Sequence, residues 1–365
     1  MSFRRELSRP TWAEIDLRAF DHNVETIASS LREGVQLVAV LKANGYGHGA
    51  VELARRCERG RVAMIAVSLL EEALELRRAG IKLPLLVLGP ILESQLSLAL
   101  EHNITLGVPG PEELEFLARA ARDRDIGVHL KLDSGMGRMG STETELPRVV
   151  ELLRSAPRLR IDAIYTHFAN ADDANDPFTE QQLARFNTLV ETLAQAGVTA
   201  PKHHAANSAA TLRGITPGDY ARVGIALYTP PREPVMRWRT EIVRLKELPP
   251  GHAVGYGTTF HTTRASRIAT LPVGYADGYS RRLSNRGEVL VRGERAPVVG
   301  RVSMDLVTID VTDIPQAAVG DEVLLLGGAI TVEELAAKLD TIAYEVFCSV
   351  SARVPRVHLD VDRDT

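Results

Sequence analysis

The sequence predicts a (β/α)8 barrel followed by a mainly β domain, on two observations. From residue 35 to about 225, short apolar runs alternate eight times with amphipathic stretches, which is the pattern of repeated βα units. Beyond Pro230-Pro231, short β-rich runs are separated by glycine and proline turns. We therefore predict a barrel at 1–234 and a β domain at 235–365, with the prolines through Pro234 as the linker. A doubly wound sheet is the alternative fold for the first half.

The eight apolar runs have the short lengths expected of buried parallel strands. Helical segments lie between them, with Pro111 and Pro177 at first-turn positions and Gly80 and Gly197 where a helix would end. Eight such units place an active site at the carboxyl ends of the strands. The predicted strands are Val35–Leu41, Val62–Val67, Leu83–Leu88, Ile104–Val108, Gly127–Leu132, Ile161–Thr166, Lys202–Ala205 and Arg222–Ala226.

The second half predicts six strands and one short helix, Val332–Leu339. The strands are Thr240–Leu245, Ser266–Leu271, Glu288–Val291, Ala296–Val299, Val307–Val311 and Glu322–Leu326.

Composition narrows the class of function. The chain has 365 residues, 45% hydrophobic and 25% charged, with a formal net charge of −4 and no basic block, so neither nucleic acid nor an anionic membrane is an expected partner. No apolar run reaches the roughly 18 residues of a membrane span, and the N-terminus lacks the apolar core of a secretory signal. We expect a cytoplasmic protein with a small-molecule ligand. Two cysteines, Cys57 and Cys348, provide neither a disulfide framework nor a metal site.

The first strand runs directly into Lys42 and a glycine-rich turn, Ala43 to Gly49. Only 6 of the 43 basic residues are lysines, so a lysine at a strand end is a candidate for a chemical role. A partly desolvated lysine at a barrel mouth can form a Schiff base with a carbonyl compound. The simpler alternative is a lysine whose amine extends to solvent from the strand.

Other strand ends supply matching chemistry. The fifth strand brings Lys131 and Arg138 to the same rim, the sixth brings His167, and the eighth brings Arg222. Barrels commonly bind phosphate near the loops after strands seven and eight, where Ser208 and the amides of Gly224 and Ile225 offer donors. A Schiff-base lysine opposite a phosphate pocket suggests pyridoxal 5'-phosphate, which makes the Cα proton of an amino acid removable.

Several strings, in this order along nearly the whole chain, make the sequence similar to bacterial alanine racemases. They are Leu-Lys-Ala-Asn-Gly-Tyr-Gly-His-Gly at 41–49, Leu-Asp-Ser-Gly-Met-Gly-Arg at 132–138, Thr-His-Phe-Ala at 166–169, Ala-Asn-Ser-Ala at 206–209, Val-Gly-Tyr-Gly-Thr-Thr-Phe at 254–260, Gly-Tyr-Ala-Asp-Gly-Tyr at 274–279 and Gly-Arg-Val-Ser-Met-Asp at 300–305. The resemblance implies a barrel carrying pyridoxal phosphate, a β domain, and interconversion of L- and D-alanine through an external aldimine with two opposed bases. It further implies a supply of D-alanine for peptidoglycan.

The resemblance also implies roles for individual residues. Lys42 would carry the cofactor and act as one base, and Tyr256, contributed by the partner subunit of a homodimer, would be the opposing base. Residues that would bind the cofactor are Tyr46, Arg138, His167, Asn207, Ser208, Arg222, Gly224 and Ile225, with Arg222 at the pyridine nitrogen and His167 linking it to Tyr256. Arg138 and the partner's Met304 would contact substrate, and Lys131 would be carbamylated to steady Arg138. Asp172, Tyr275, Arg281 and Arg301 would line the corridor by which substrate enters.

The chain departs from the family pattern at two positions. Ala352 stands before Arg353-Val-Pro-Arg356 where the family usually has a phosphate-binding tyrosine, and Thr229 follows Leu227-Tyr228 where the family has glycine. The missing tyrosine predicts weaker cofactor retention or looser selectivity. A broad-specificity or serine-preferring racemase on the same scaffold is therefore the nearest alternative. A decarboxylase, which would place an acidic residue at the pyridine nitrogen, and a non-catalytic cofactor carrier are more distant ones.

Overall fold

The computed structural model describes residues 8–229 and 232–360, which form two compact units. The first, called the barrel unit here, contains the described residues 20–45 and 50–232. The second, called the β unit, contains residues 8–19, 46–49 and 233–360. The fold class predicted from the sequence is confirmed, since one unit is an eight-stranded parallel barrel and the other is mainly β.

Eight parallel strands build the barrel unit. Neighbours in the sheet follow the order of the chain, and the eighth strand pairs with the first through Val38 and Arg222, so the sheet is nearly closed. Buried apolar side chains occupy most positions on both faces of these strands, as is typical of parallel sheets covered by helices. The strands are Gln36–Val40, Val62–Val67, Leu85–Val87, Ile104–Val108, Ile126–Lys131, Leu159–Tyr165, His203–His204 and Tyr220–Val223.

Helices follow most of these strands and cover them. Pro111 occupies the first turn of its helix, and Gly80 and Gly197 adopt φ of +86° and +83° just beyond helix ends, as predicted. No helix in the described part of the chain is long and apolar enough to cross a bilayer. The helices are Leu17–Ser30, Ala50–Cys57, Leu70–Arg78, Leu96–Glu101, Pro111–Ala120, Leu146–Ser155, Phe178–Gln195 and Ser208–Leu212, and a short left-handed turn spans Lys42–Tyr46.

The β unit contains a six-stranded, a three-stranded and a two-stranded sheet. In sheet order, the first consists of Glu294–Pro297, Glu288–Val291, Glu322–Leu326, Met236–Glu241, Thr11–Asp16 and Arg356–Leu359. The second consists of Arg244–Leu248, Ser266–Leu271 and Val307–Asp310, and the third of Ala253–Val254 and Phe260–His261. The unit also has two helices, Val332–Leu339, as predicted, and Ala343–Ser349.

The N-terminal strand belongs to the β unit, which differs from the predicted domain range 1–234. Thr11–Asp16 pairs antiparallel with Met236–Glu241 and parallel with Arg356–Leu359, so it lies inside the six-stranded sheet. Pairing of residues more than 200 positions apart leaves no local signal in the sequence. The predicted linker residues Pro230 and Pro231 lie outside the described residues.

The predicted strand Thr240–Leu245 is wrong, because it spans the end of one strand and the start of another. Met236–Glu241 lies in the six-stranded sheet and Arg244–Leu248 in the three-stranded sheet. The intervening residues turn the chain, as Ile242 donates to Asp321 O and Val243 donates to Thr270 O. The strand-like sequence Thr-Glu-Ile-Val-Arg-Leu at 240–245 therefore gave no sign of the change of sheet.

Candidate active site

A cavity of about 260 Å³ opens at the carboxyl ends of the barrel strands. Its polar lining includes Lys42, Lys131, Arg138, Arg222 and His167, and no carboxylate of the described residues lines it. Four predicted cations therefore converge on one space, as the sequence indicated. These cationic side chains favour an anionic ligand. The lysine amines also favour a ligand with a carbonyl group, with which an amine can form a Schiff base.

Arg222 forms the buried floor of this arrangement and is 3% exposed. Its Nη2 atom donates to Thr166 O at 2.7 Å and to Ala205 O at 3.0 Å, and lies 3.3 Å from His167 Nδ1. Its Nη1 atom donates to His204 Nδ1. These contacts fix the guanidinium plane from several directions, so Arg222 presents its charge to the cavity in one orientation.

Two further histidines extend the network into the barrel core. Because His204 Nδ1 accepts from Arg222, its proton lies on Nε2, which donates to His129 Nδ1 at 3.1 Å. Burial, and then the charge of Arg222, lowers the pKa of His129 to about 4 and that of His167 to about 3, and holds the pKa of His204 well below its usual value. Burial also lowers the pKa of Arg222 to about 10, so at neutral pH the histidines are neutral and Arg222 is the cation.

Lys131 ends the strand Ile126–Lys131 and is 7% exposed. Burial, followed by the nearby charges of Arg138 and Arg222, lowers the pKa of its amine to about 8, against a smaller opposing effect of Asp133. Its Nζ atom lies 5.9 Å from the centroid of the Tyr165 ring. The amine of Lys131 is thus neutral in about a tenth of molecules at pH 7.

The turns after the seventh and eighth strands are joined through Ser208. Its Oγ atom accepts from Gly224 N at 2.9 Å and from Ala226 N at 3.5 Å, which leaves its hydroxyl proton for another acceptor, such as a phosphate oxygen. Asn207 caps the helix that begins at Ser208, accepting from Ala210 N at 3.0 Å, and donates to Phe168 O at 3.1 Å. Ile225 begins the adjoining 3₁₀ turn. The structure therefore brings the predicted phosphate donors Ser208, Gly224 and Ile225 together.

Another set of predicted site residues lies in the β unit, clustered on neighbouring turns. Tyr275 N donates to Ser303 O and Ala276 N donates to Met304 O, both at 3.0 Å, which joins the Tyr275 turn to Met304. A Cβ atom at Gly257 would come within 3.2 Å of the Arg301 guanidinium, so the Tyr256 turn packs on Arg301. Tyr256 is 72% exposed and Met304 is 53% exposed.

The remaining predicted residues are placed separately. Tyr46 lies in the β unit, 5% exposed, with its ring 5.8 Å from that of Tyr344. Arg281 is exposed on a 3₁₀ turn of the β unit, and Asp172 is exposed on a loop of the barrel unit.

His129, His204 and Tyr165 are not among the site residues predicted from the sequence. His129 lies two positions before Lys131 in the same strand and therefore on the same face, which is the signal that could have identified it. The Tyr165 ring stacks on His204 with centroids 4.8 Å apart and lies 5.4 Å from the Arg222 guanidinium carbon. These three side chains build the support beneath Arg222.

Comparison with known proteins gives one consistent family. The family model "Alanine racemase, N-terminal domain" matches residues 15–231, and "Alanine racemase, C-terminal domain" matches residues 235–358. A curated relative named alanine racemase, from Halothermothrix orenii, is 42% identical over 369 residues, covering 96% of this chain and 97% of the relative.

Solved structures agree with this similarity. Alanine racemase from Bacillus anthracis, solved with bound L-Ala-P, has a TM-score of 0.91 and 37% identity, covering 97% of this chain and 96% of that one. Alanine racemase from Bartonella henselae, solved with covalently bound pyridoxal phosphate, has a TM-score of 0.89 and 28% identity, covering 96% and 99%. The likeness extends through both units of the chain.

Proposed function

The chain belongs to the alanine racemase family and is an isomerase that interconverts L- and D-alanine, and we propose that it does so with pyridoxal 5'-phosphate bound among Lys42, Arg138 and Arg222. The observation that supports this site is the convergence of four cations and no described carboxylate on one cavity. A phosphorylated aldehyde matches that donor set in charge, and Lys42 offers the amine for its carbonyl. A solved neighbour also carries the cofactor covalently.

We assign different parts of the cofactor to different residues, most of which belong to the barrel unit. Ser208, with Gly224, Ile225 and Tyr46, would hold the phosphate, and Asn207 would fix the turn that carries Ser208. When bound, the cofactor withdraws electrons from the Cα atom of an amino acid and makes its proton removable. Arg138 would pair with the substrate carboxylate, because a guanidinium binds a carboxylate through two parallel hydrogen bonds.

Racemisation removes a proton from one face of Cα and returns one to the other face, so it needs two bases. We assign these to the Lys42 amine and the Tyr256 phenol. His167 Nδ1 accepts from Arg222, so its proton lies on Nε2 and would donate to the Tyr256 oxygen, favouring the phenolate. Met304 would border the substrate, and Asp172, Tyr275, Arg281 and Arg301 would line the approach to it.

Arg222 distinguishes racemisation from decarboxylation on a similar fold. A guanidinium at the pyridine nitrogen remains protonated and donates to that nitrogen, whereas a carboxylate would stabilise a proton on it. Arg222 at that position would leave the ring nitrogen uncharged, which would limit side reactions of the substrate. The buried histidines around Arg222 are neutral at neutral pH and would leave Arg222 as the cation that contacts this nitrogen.

Lys131 has the properties needed for carbamylation. Its neutral amine can attack CO₂ to give a carbamate anion and release one proton, which replaces a cation beside Arg138 with an anion that pairs with it. Since the pKa of Lys131 is lowered to about 8, the reactive neutral amine is present under ordinary conditions.

We predict that ¹³C-labelled bicarbonate gives a carbamate resonance in the protein that strengthens from pH 7 to pH 9. The resonance should be absent in Lys131→Ala, and this variant should lose about tenfold in kcat/KM through misplacement of Arg138. The matched control is Lys202→Ala, which removes a lysine that donates to Tyr220 Oη and does not line the cavity. A resonance unchanged by Lys131→Ala would contradict the proposal.

We further propose a homodimer in which each Tyr256 serves the partner's cavity. In the β unit Tyr256, Met304, Leu306 and Tyr275 expose 72%, 53%, 45% and 42% of their surfaces, a concentration of exposed large apolar side chains that favours a protein interface.

Mixing two inactive variants tests this sharing. Lys42→Ala and Tyr256→Phe are each expected to be inactive, but a heterodimer of them contains one site with both native bases. Co-refolded in equal amounts, they should recover about a quarter of the parent activity, since about half of the dimers are mixed and each has one working site. Recovery is not expected from Lys42→Ala with Lys42→Ala/Tyr256→Phe. Failure of the first mixture to recover activity, with mixed dimers demonstrated by native mass spectrometry, would contradict the shared site.

Ala352 bears on substrate range. Arg356 donates to Gly47 O at 2.8 Å and to Ser351 O and Val354 O, so the segment carrying the exposed Ala352 is held against the residue that follows Tyr46. A tyrosine at this position would be held near the proposed phosphate ligand Tyr46. Its absence supports the second candidate, a racemase that also accepts serine.

We predict that Ala352→Tyr tightens cofactor binding by about tenfold, the value of one added hydrogen bond to a charged group, and lowers the serine-to-alanine rate ratio. Equilibrium dialysis of the cofactor and chiral chromatography of both reactions measure the two effects. Ala352→Phe, which adds the ring without the hydroxyl, separates them. No change in either quantity would refute this role of position 352.

We propose a cytoplasmic role in supplying D-alanine for peptidoglycan. Cys57 is a buried free thiol, as is usual in a reducing compartment. Expression of the chain should let a bacterium that requires D-alanine grow without it, and the Lys42→Ala variant should not; growth with neither would refute this role.

A further inference from the structure

The backbone immediately after Lys42 has an unusual conformation. Ala43, Asn44, Gly45 and Tyr46 have φ of 52°, 53°, 62° and 53°, a left-handed turn in which three of four residues are not glycine. In this conformation the Cβ atom of an L-residue comes too close to the following carbonyl oxygen. Such a turn persists only where surrounding contacts hold it.

The contacts that hold the turn are specific. Gly45 N donates to Leu41 O at 2.8 Å, and Ala50 N donates to Asn44 Oδ1 at 2.8 Å, both within the same segment of chain. Ala43 N donates at 2.6 Å to Glu72 Oε1, which lies on the helix after the second barrel strand. Glu72 therefore contacts the peptide unit that directly follows Lys42.

Glu72 is itself held in place. Its Oε2 atom accepts from Ser68 N at 2.8 Å and from Leu69 N at 3.0 Å, at the start of the helix Leu70–Arg78. Ser68 lines the same cavity as Lys42. One carboxylate thus joins the loops that follow two adjacent barrel strands, Gln36–Val40 and Val62–Val67, at the rim of the cavity.

We propose that Glu72 is a positioning residue that holds the left-handed turn after Lys42 and so aims the Lys42 amine into the cavity. The inference rests on the proposed role of Lys42 as the cofactor-bearing lysine. Without the carboxylate, Ala43 relaxes to a right-handed or extended conformation, and the amine loses its fixed approach to the cofactor aldehyde. Condensation of that amine with the aldehyde, which releases water, then slows, and so does proton transfer by the same amine.

The Ala43→Gly substitution distinguishes positioning of Lys42 from a purely structural role of Glu72. If Glu72 had only a structural role, Ala43→Gly would not rescue the loss caused by Glu72→Ala. Glycine adopts left-handed φ without a steric penalty. Ala43→Gly should therefore restore part of what Glu72→Ala loses, although it adds no contact to Glu72 or to its helix. Glu145 offers a matched control, because it accepts from Thr142 N at 2.7 Å ahead of another barrel helix and its side chain contacts no part of the Lys42 turn in the described structure.

The experiment uses the full chain, freed of cofactor and mixed with pyridoxal phosphate. Attachment to Lys42 is followed by visible absorbance, borohydride trapping and peptide mass spectrometry, and kcat and KM for L-alanine are measured separately. For Glu72→Ala we expect attachment and kcat to fall about tenfold, with KM changing less than about twofold. Glu72→Ala/Ala43→Gly should recover at least about a third of each loss, and Glu145→Ala should stay within about twofold of the parent.

The outcomes distinguish failure of the proposed function from failure of the positioning role of Glu72. If the parent attaches no cofactor at Lys42, the proposed function fails first. If the parent attaches it and Glu72→Ala does so at the parent rate, or if Glu145→Ala slows attachment equally, the role of Glu72 is refuted. Should Glu72→Ala not fold, Glu72→Gln, which keeps one acceptor oxygen, replaces it, with attachment slowed at least about threefold as the supporting result and parent-like attachment as the refuting one.

Discussion

Replacement of Lys42 by alanine is expected to lower kcat/KM for alanine racemisation by about 10⁴-fold or more, because in the proposed mechanism this one side chain would both carry the cofactor and serve as a base. Lys42 lines the cavity with Lys131, Arg138 and Arg222. Chiral chromatography of the products from either enantiomer measures the loss.

Two controls accompany the measurement on Lys42→Ala. Lys82→Ala removes an exposed lysine on a loop of the barrel unit and should leave activity unchanged. Added methylamine should restore part of the activity of Lys42→Ala, since a free amine can take the vacated space and accept a proton. A Lys42→Ala variant that retains more than about a hundredth of parent activity would contradict the assignment, because general-base removal alone costs about 10²-fold or more.

The second large effect is expected at Arg222. Arg222→Met leaves Thr166 O, Ala205 O and His204 Nδ1 without the donor they now share. Each buried unsatisfied polar group costs about 1–3 kcal/mol, so the free energy of unfolding should fall by about 3 kcal/mol or more. Loss of the cation proposed to contact the cofactor, and of the partner of His167, should lower kcat by about 10²-fold or more.

The pKa of His167 provides an independent readout of the same substitution. The charge of Arg222 is the second cause, after burial, that lowers this pKa to about 3, so Arg222→Met should raise it. Urea unfolding, kinetics and histidine NMR titration measure the three effects. Arg213→Met is the control, because Arg213 also donates to two carbonyls, Ala171 O and Asp173 O, but is exposed and does not line the cavity. Equal losses from the two substitutions would contradict the special role of Arg222.

The sequence predicted those parts of the fold that depend on local pattern. The barrel strands Val62–Val67 and Ile104–Val108 coincide with the predicted runs, because a short apolar segment between turn signals is enough to define a buried parallel strand. The N-terminal strand Thr11–Asp16 could not be assigned to its sheet in this way. Its partners lie more than 200 residues away, and the pattern of a strand does not identify its neighbours.

A similar division holds for the site. Lys42, Lys131 and Arg222 were predictable because polar residues that follow or end apolar strands meet at one rim. The His129–His204 contact and the hydrogen bond from Ala43 to Glu72 were not, since both depend on side chains from different strands or loops meeting in three dimensions. The left-handed conformation at Ala43 was also hidden, because alanine carries no sequence signal for positive φ.

The central claim is that two opposed bases, Lys42 and Tyr256, serve the two faces of Cα. It is tested most directly by deuterium exchange at Cα of L-alanine and of D-alanine in deuterated water, with the Tyr256→Phe variant beside the parent. The parent should exchange and invert both enantiomers, while Tyr256→Phe should exchange the Cα proton of one enantiomer only and accumulate almost none of the other. If Tyr256→Phe still inverts alanine at the parent rate, or exchanges both enantiomers equally, Tyr256 is not the second base.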